Sequence, residues 1–455
     1  MIKLRKSTHL RTYNLLFVLL ILPGLACSLT GRIEGTPVTA SATASVVVDS
    51  TSVSFPQETV VPQETPEIQT ALPSSADLRV VYVKEGNLWI WEQGDSIQLT
   101  TSGEVYRPQI SPDGKIVAFL RPADEFHLEI WAINIDGTNE KRLVSIADLD
   151  AIGGGVRDPS SVAINPYHYD WAPGTHVLAF NTHQAFQGPG LSLLNDLNLV
   201  DADNLKITNL FLSGWGGEFT YSPDGSQIAI SQPDKVILAN ADGSNYRPVF
   251  DYPAVTTYSE YRYYVEPNWA EDGKSIQFAL PPVDPLAEPR DPTTLWKIEV
   301  ESSQAEQMGS ILTVPFFEQP TVLSPDLMRV AYLQEIEQPS ENQRELHLAA
   351  SDGSGDWMYS KAAPILFLSW GLDSITFLYS VGEEQETWLG SIQELPRQLD
   401  ASFNGLQEPR WVDASHFLGW VLRDGEFRLI LAGIDGSLIL LDTVSGAPPN
   451  YDFSS

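Results

Sequence analysis

The sequence predicts an all-β fold, a single β-propeller built from four-stranded antiparallel blades. Three observations lead there. A turn motif recurs along the chain, its first five starts lying 61, 50, 48 and 54 residues apart. Every copy has the same strand–turn–strand grammar. The periodic text begins near residue 78 and runs to the C-terminus, so one repeating unit accounts for it. A period of about 50 residues with several short strands per period signals propeller blades rather than separate domains.

The first motif is Ser111-Pro112-Asp113-Gly114, followed by Lys-Ile-Val-Ala-Phe. Its relatives are Ala172-Pro173-Gly174, Ser222-Pro223-Asp224-Gly225, Ala270-Glu271-Asp272-Gly273 and Ser324-Pro325-Asp326, each leading into an apolar run. Two degenerate copies lie at 370–377 and 412–420. Proline presets one turn dihedral and glycine accepts a positive one, so the motif is a turn between two strands. The residue before it is aromatic or aliphatic (Ile110, Trp171, Tyr221, Trp269, Leu323, Trp411), and the tryptophans Trp171, Trp269 and Trp411 are expected to wedge between blades. A third strand runs into Asp-Gly at 136–137, 242–243, 352–353 and 435–436, a hairpin signal, and a short fourth strand completes the unit.

Seven anchors run from Ser111 to Val412. Ahead of them, 80–83, 88–91 and 97–100 read as three strands of an eighth blade that lacks its innermost strand. The tail near Asn450-Tyr451-Asp452-Phe453 could supply it, closing the ring with both termini and leaving no open edge. Eight blades are favoured, seven next.

The Ser-Pro-Asp-Gly turn, the aromatic before it and the Asp-Gly after the third strand resemble the TolB-like, WD-repeat-like propeller family over residues 78–445. The resemblance implies a binding or scaffolding platform in the cell envelope.

The N-terminus reads as an address. Lys3, Arg5, Lys6 and Arg11 precede an apolar run at 15–22, and Leu25-Ala26-Cys27 follows. This is the layout of a signal peptide, with an apolar core too short to span a bilayer comfortably. Leu-Ala-Cys resembles the end of a bacterial lipobox, although Gly24 stands where a branched aliphatic residue is usual. The resemblance implies cleavage after residue 26 and a lipid on Cys27, the only cysteine of the chain. Residues 1–26 are thus the expected lipoprotein signal peptide, 27–77 a lipidated cysteine with a disordered Ser/Thr/Pro-rich tether, and 78–455 the propeller. The expected location is outside the cytoplasm, anchored by lipid to the cell membrane or the outer membrane. The tether repeats Pro56-Gln57-Glu58-Thr59 at 62–65 and has too few apolar groups to offset its chain entropy.

The chain holds 27 Lys+Arg against 59 Asp+Glu, a formal net charge of −32. Such a field repels nucleic acid and anionic lipid, so membrane contact is expected only through the anchor, and the propeller is expected to be a monomer.

The sequence carries neither a Gly-x-Ser-x-Gly elbow nor a glycine-rich phosphate loop leading into a helix. With strands lettered A to D from the axis outward, A–B and C–D turns fall on one face; B–C loops and D–A links fall on the other. The first set is short. The second holds the long segments 145–167, 251–265, 281–293 and 334–344, and function gathers where long loops crown a rigid scaffold. Ligand-binding candidates there are Tyr167, His168, His183, Tyr258, Tyr261 and Tyr263, tyrosine being a rigid amphipathic contact for sugars and peptides. Aligning the repeats also places Arg107, His168, Glu218, Glu266 and Glu408 at one position, four residues before each turn, as an axial ring. The ring reads either as an internal ion-pair network or as a seat for a cation: a divalent metal held by His168, Glu218 and Glu266, or a partner's Lys or Arg. No other cofactor is expected. The expected function is a non-catalytic module for a protein, peptide or glycan. The alternative is a propeller enzyme acting on polysaccharide or peptide at the loop-rich end of the channel.

Overall fold

The computed structural model describes residues 78–152, 157–188, 190–336 and 343–455. The expected signal peptide, Cys27 and the tether lie outside the described residues.

Eight antiparallel sheets form the ring, seven of four strands and one of five. Blade 1 comprises Tyr106–Ile110, Ile116–Pro122, Leu128–Asn134 and Lys141–Val144, lettered A to D in that order. The two middle strands of a blade are buried on both faces, because blades stack face to face. Hence they read as continuous apolar runs: Ile116 to Leu120 are all buried, as are Ile228 to Gln232 in strand B of blade 3. The outermost strands meet solvent, and all four residues of Asp95–Gln98 are exposed.

The turns follow from their side chains. In the blade 3 motif the Asp224 carboxylate accepts the Ser226 N–H at 3.0 Å and the Ser222 hydroxyl at 2.7 Å. The Ser222 oxygen in turn accepts the Gln227 N–H at 3.0 Å, and Gly225 sits at φ +69°. Where a copy lacks the glycine, Leu327 (φ 57°) or Ser374 (φ 56°) is forced into the same left-handed region.

The tryptophans before the turns stitch the ring together. The indole N–H of Trp171 donates to the Gln109 carbonyl at 3.2 Å, that of Trp269 to Thr220 at 3.2 Å and that of Trp370 to Val322 at 3.1 Å. Trp411 reaches the Ser369 hydroxyl at 3.1 Å. Each bond runs from one innermost strand to that of the preceding blade, two residues before its turn.

Tyr451–Ser454 pairs antiparallel with Arg79–Lys84, so the C-terminus supplies the innermost strand of blade 8, as the sequence suggested. Asp452 then accepts the Ile110 N–H of blade 1 at 2.8 Å and closes the circle. The last strand of that blade is Asp95–Gln98, two residues earlier than the 97–100 expected.

Blade 2 departs from the expectation. Residues 145–167 are not a loop: they hold a short helix, Ile146–Ile152, and more than half of a long strand A, Ser161–Trp171. Strand B, Val177–Phe186, is nearly as long and carries a fifth strand, Leu191–Leu193, at its far end. Tyr167 and His168 are therefore strand residues, at a bulge where two residues oppose Asn181. The segment was legible as a link because Pro166 interrupts its alternation.

Candidate ligand-binding face and axial channel

The innermost strands of the eight blades line the axis. At the end where the A–B turns lie, a cavity of about 450 Å³ is walled by blades 3 to 6, with Thr220, Asn268, Trp269, Ser369 and Trp370 among its lining. In the sector of blades 7, 8 and 1 a second cavity, of about 330 Å³, is charged. Its lining includes Arg107, Gln109, Glu408, Arg410, Asn450 and Asp452.

All five ring residues lie on or just before an innermost strand. They divide into two groups. His168 Nδ1 is 3.0 Å from Glu218 Oε2, and its ring stacks on Phe219 with centroids 4.6 Å apart. Asn181 orients this pair, accepting the His168 N–H at 2.8 Å and donating to the Gly217 carbonyl at 2.9 Å. The Glu218 charge reaches Glu266 on blade 4. Arg107 and Glu408 form the other group, across the second cavity. Among the described residues, no set of three or more His, Cys, Asp or Glu is placed to hold a metal ion. The geometry thus pairs His168 with Glu218 rather than gathering His168, Glu218 and Glu266 around an ion.

Glu266, Glu408 and Asp170 are open to the lumen, yet protein surrounds each of them. Burial raises all three carboxyl pKa values; the Glu218 charge adds to the effect at Glu266. At Glu408, Trp420 and Arg410 pull in the opposite direction. His183, on strand B of blade 2, is pushed down to about 4, chiefly by burial, with the positive charge of Arg107 assisting. It packs edge-on against Tyr167, centroids 5.6 Å apart, and is neutral at pH 7.

The tyrosine candidates do not share one environment. Tyr258 (59% exposed) donates to the Asp284 carboxylate at 2.6 Å, and Tyr261 is 39% exposed. The first bond, with the Thr256 N–H donated to the Val283 carbonyl at 2.8 Å, joins segment 251–265 to segment 281–293. Tyr263 is a different case from the ligand contact expected of it. Its ring packs on Phe316, centroids 4.7 Å apart, against the core that holds Tyr252, Val255 and Val265. Burial raises its hydroxyl pKa.

Sequence reasoning missed four contributors. Tyr264 donates to Asn195 at 2.7 Å and ties blade 4 to blade 2 beside Glu218. Trp215 is exposed in a glycine-rich link, with its ring 5.5 Å from Tyr246. The glycines around it were the available signal. Arg410 and Asp452 form a 2.7 Å ion pair two residues along from the ring position. Their positions are equivalent in the repeat, but their residue types share nothing, so alignment by chemistry passes over them.

Exposed aromatic rings are segregated. Phe126, Trp215, Tyr258, Tyr261 and Phe317 belong to B–C loops or D–A links, and Tyr106 opens an innermost strand at the same end. Trp357, on an outer strand, is the remaining one among the described residues. The large hydrophobic side chains that the A–B and C–D turns expose, among the described residues, are aliphatic or methionine: Leu205, Met328, Leu372 and Leu395.

No protein-family model matches the chain, and no curated protein matches it. Many solved structures are similar. An oligogalacturonate lyase in complex with manganese is 13% identical, with 76% of this chain and 82% of that one covered and a TM-score of 0.43. TolB from Acinetobacter baumannii is 12% identical, covering 62% of this chain and 64% of that one, with a TM-score of 0.33. A prolyl endopeptidase is 10% identical over 77% of this chain, with a TM-score of 0.49, and the match spans half of that chain, 50%. The similar structures thus include both enzymes and TolB.

Proposed function

We propose that this chain is a membrane-tethered envelope lipoprotein whose propeller is a non-catalytic binding or scaffolding module, with its ligand, a protein, peptide or glycan, held at the loop-rich face. The observation that carries the reading is the segregation of exposed aromatic rings onto the connections of that face. Exposed rings on a rigid scaffold give large contact area at low entropic cost. Tyr258 and Tyr261 are the principal contacts, with Tyr167, His168 and His183, on the two inner strands of blade 2, as further ones. The lipid on Cys27 would hold the propeller at the membrane, and the tether would set its reach.

The test is a glycan and peptide array probed with the full chain and with a Tyr258→Ala/Tyr261→Ala variant. Saturable capture by the full chain that falls at least tenfold in the variant supports the reading. Equal capture by both overturns it. For the anchor, Cys27→Ser should move the protein from the membrane fraction to the soluble exported fraction; unchanged membrane association rules the lipid out.

A second reading draws on the His168–Glu218 pair, an acid/base pair beside Tyr167 on the innermost strands of blades 2 and 3. If the module is instead an enzyme on polysaccharide or peptide, array ligands will be cleaved, and Glu218→Gln will stop cleavage.

A further inference from the structure

The charged cavity in the sector of blades 7, 8 and 1 combines features that neither the fold nor the aromatic face requires. Arg107 and Glu408 occupy equivalent positions on blades 1 and 7, and both are followed by proline. Both also adopt left-handed backbone, at φ 51° and 49°, inside β-bulges. For residues that are not glycine this is uncommon and costly. The two bulges are secured identically: the Arg107 carbonyl accepts the Tyr169 hydroxyl of the next blade, and the Glu408 carbonyl accepts that of Tyr451. A bulge re-aims a side chain, and proline suits it because the ladder there takes no N–H.

Both residues line the same cavity of about 330 Å³, within the range of small-ligand sites (about 300–1,000 Å³). Among the described residues neither is in an ion pair. Arg107 gives one N–H to the Tyr167 carbonyl at 2.5 Å and lies 5.5 Å from the centre of the Tyr169 ring. Glu408 has the Trp420 indole as a hydrogen-bonding neighbour and Arg410 nearby, but the Arg410 guanidinium is bound to Asp452 at 2.7 Å. A guanidinium and a carboxylate, neither of them in an ion pair among the described residues, therefore line a single cavity without neutralising each other. Surrounding protein raises the Glu408 carboxyl pKa, so a cation beside it is favoured.

We infer that this cavity is a binding site for a zwitterion, an amino acid or a short peptide with both ends free. Arg107 takes the carboxylate through its planar fork, and Glu408 takes the ammonium group. Asn450, whose side-chain oxygen accepts the Arg107 N–H at 3.3 Å, helps hold the guanidinium-bearing bulge in place. The site lies within the channel and does not depend on the exposed tyrosines.

The test is calorimetric titration of the full chain at pH 7 with alanine, dialanine and trialanine, and with the N-acetyl and C-amide forms of each. At least one member of the free series should bind saturably, and either cap should weaken it at least tenfold. In Arg107→Gln the acid and the amide should bind alike. In Glu408→Gln the free and acetylated amines should bind alike. Arg107→Lys, which keeps the charge, should retain the preference for a free carboxylate and shows that the bulge still folds. No saturable binding by any probe overturns the inference, as does binding indifferent to the caps or a cap preference that survives both neutral substitutions. Tyr258→Ala/Tyr261→Ala should leave these titrations unchanged while abolishing array capture, so the two proposals fail separately.

Discussion

The connections between strands and the channel-lining positions are built from one repeat and use carboxylates oppositely. On the turn face, aspartates are committed to the backbone. Asp136, Asp242, Asp352 and Asp435 each accept an N–H two residues ahead, as Asp224 does in its A–B turn, and hydrogen bonding lowers all five carboxyl pKa values. On the loop-rich side Asp124, Asp158 and Asp284 accept backbone N–H groups in the same way, whereas Glu266 and Glu408, at the channel, bond to no turn, and burial raises their pKa values. The acidity of this chain therefore has two sources, one that makes turns and one that faces the channel. The high acid count alone says nothing about which is which.

That contrast can be broken or sharpened by substitution, beginning with the largest expected effect. Removing 451–455 takes away the innermost strand of blade 8, and the exposed edge of Arg79–Lys84 should end cooperative thermal unfolding, followed by circular dichroism. A truncated chain that melts as sharply as the full one would mean that the ring does not depend on that closure. Trp171→Ala removes a buried ring and its bond to the preceding blade, and should cost about 3–5 kcal/mol in denaturant unfolding.

Acid should separate the two sets of carboxylates. Asp224 has its folded pKa lowered from 3.8 to about 2, so its contribution is complete above pH 4 and is lost between pH 4 and 2. Glu266 and Glu408 are raised above 4.5, so acidification from neutrality toward pH 4.5 relieves a cost. His183, held at about 4, works against that gain below pH 6.5. Relative to the unsubstituted chain, Asp224→Asn should therefore flatten the fall in melting temperature below pH 4. Glu266→Gln should raise stability at pH 7 and leave the lower limb untouched. The smallest effect on stability is expected from Tyr258→Ala/Tyr261→Ala, whose melting temperature should stay unchanged.

The repeat was legible because its turn chemistry is local. Ser-Pro-Asp-Gly, the tryptophan before it and the Asp-Gly after strand C identified blades 1 to 7, and the unmatched strands at both ends identified the eighth. What failed to show was direction in irregular segments. Tyr258, Tyr261 and Tyr263 are near neighbours in one link, yet two face solvent and one packs on Phe316, because an irregular backbone has no period from which to read a side chain's orientation. The same packing makes excision of 251–265 a poor test of function, since Tyr252, Val255 and Val265 lie in the core. The axial ring was legible as a set of equivalent positions. Its division into a His168–Glu218 pair and an Arg107/Glu408 cavity depends on bulges and on contacts between blades, which no linear motif encodes.

The central claim is that the loop-rich face works and the turn face folds. The most direct measurement is the affinity of one array ligand for three forms of the full chain: unsubstituted, Tyr258→Ala/Tyr261→Ala and Asp224→Asn, at pH 7 and below the melting temperature of each. The expected result is at least a tenfold loss for the tyrosine variant with an unchanged melting temperature, and undiminished affinity for Asp224→Asn. A ligand that Asp224→Asn fails to bind, while the tyrosine variant binds it normally, would contradict the assignment of faces.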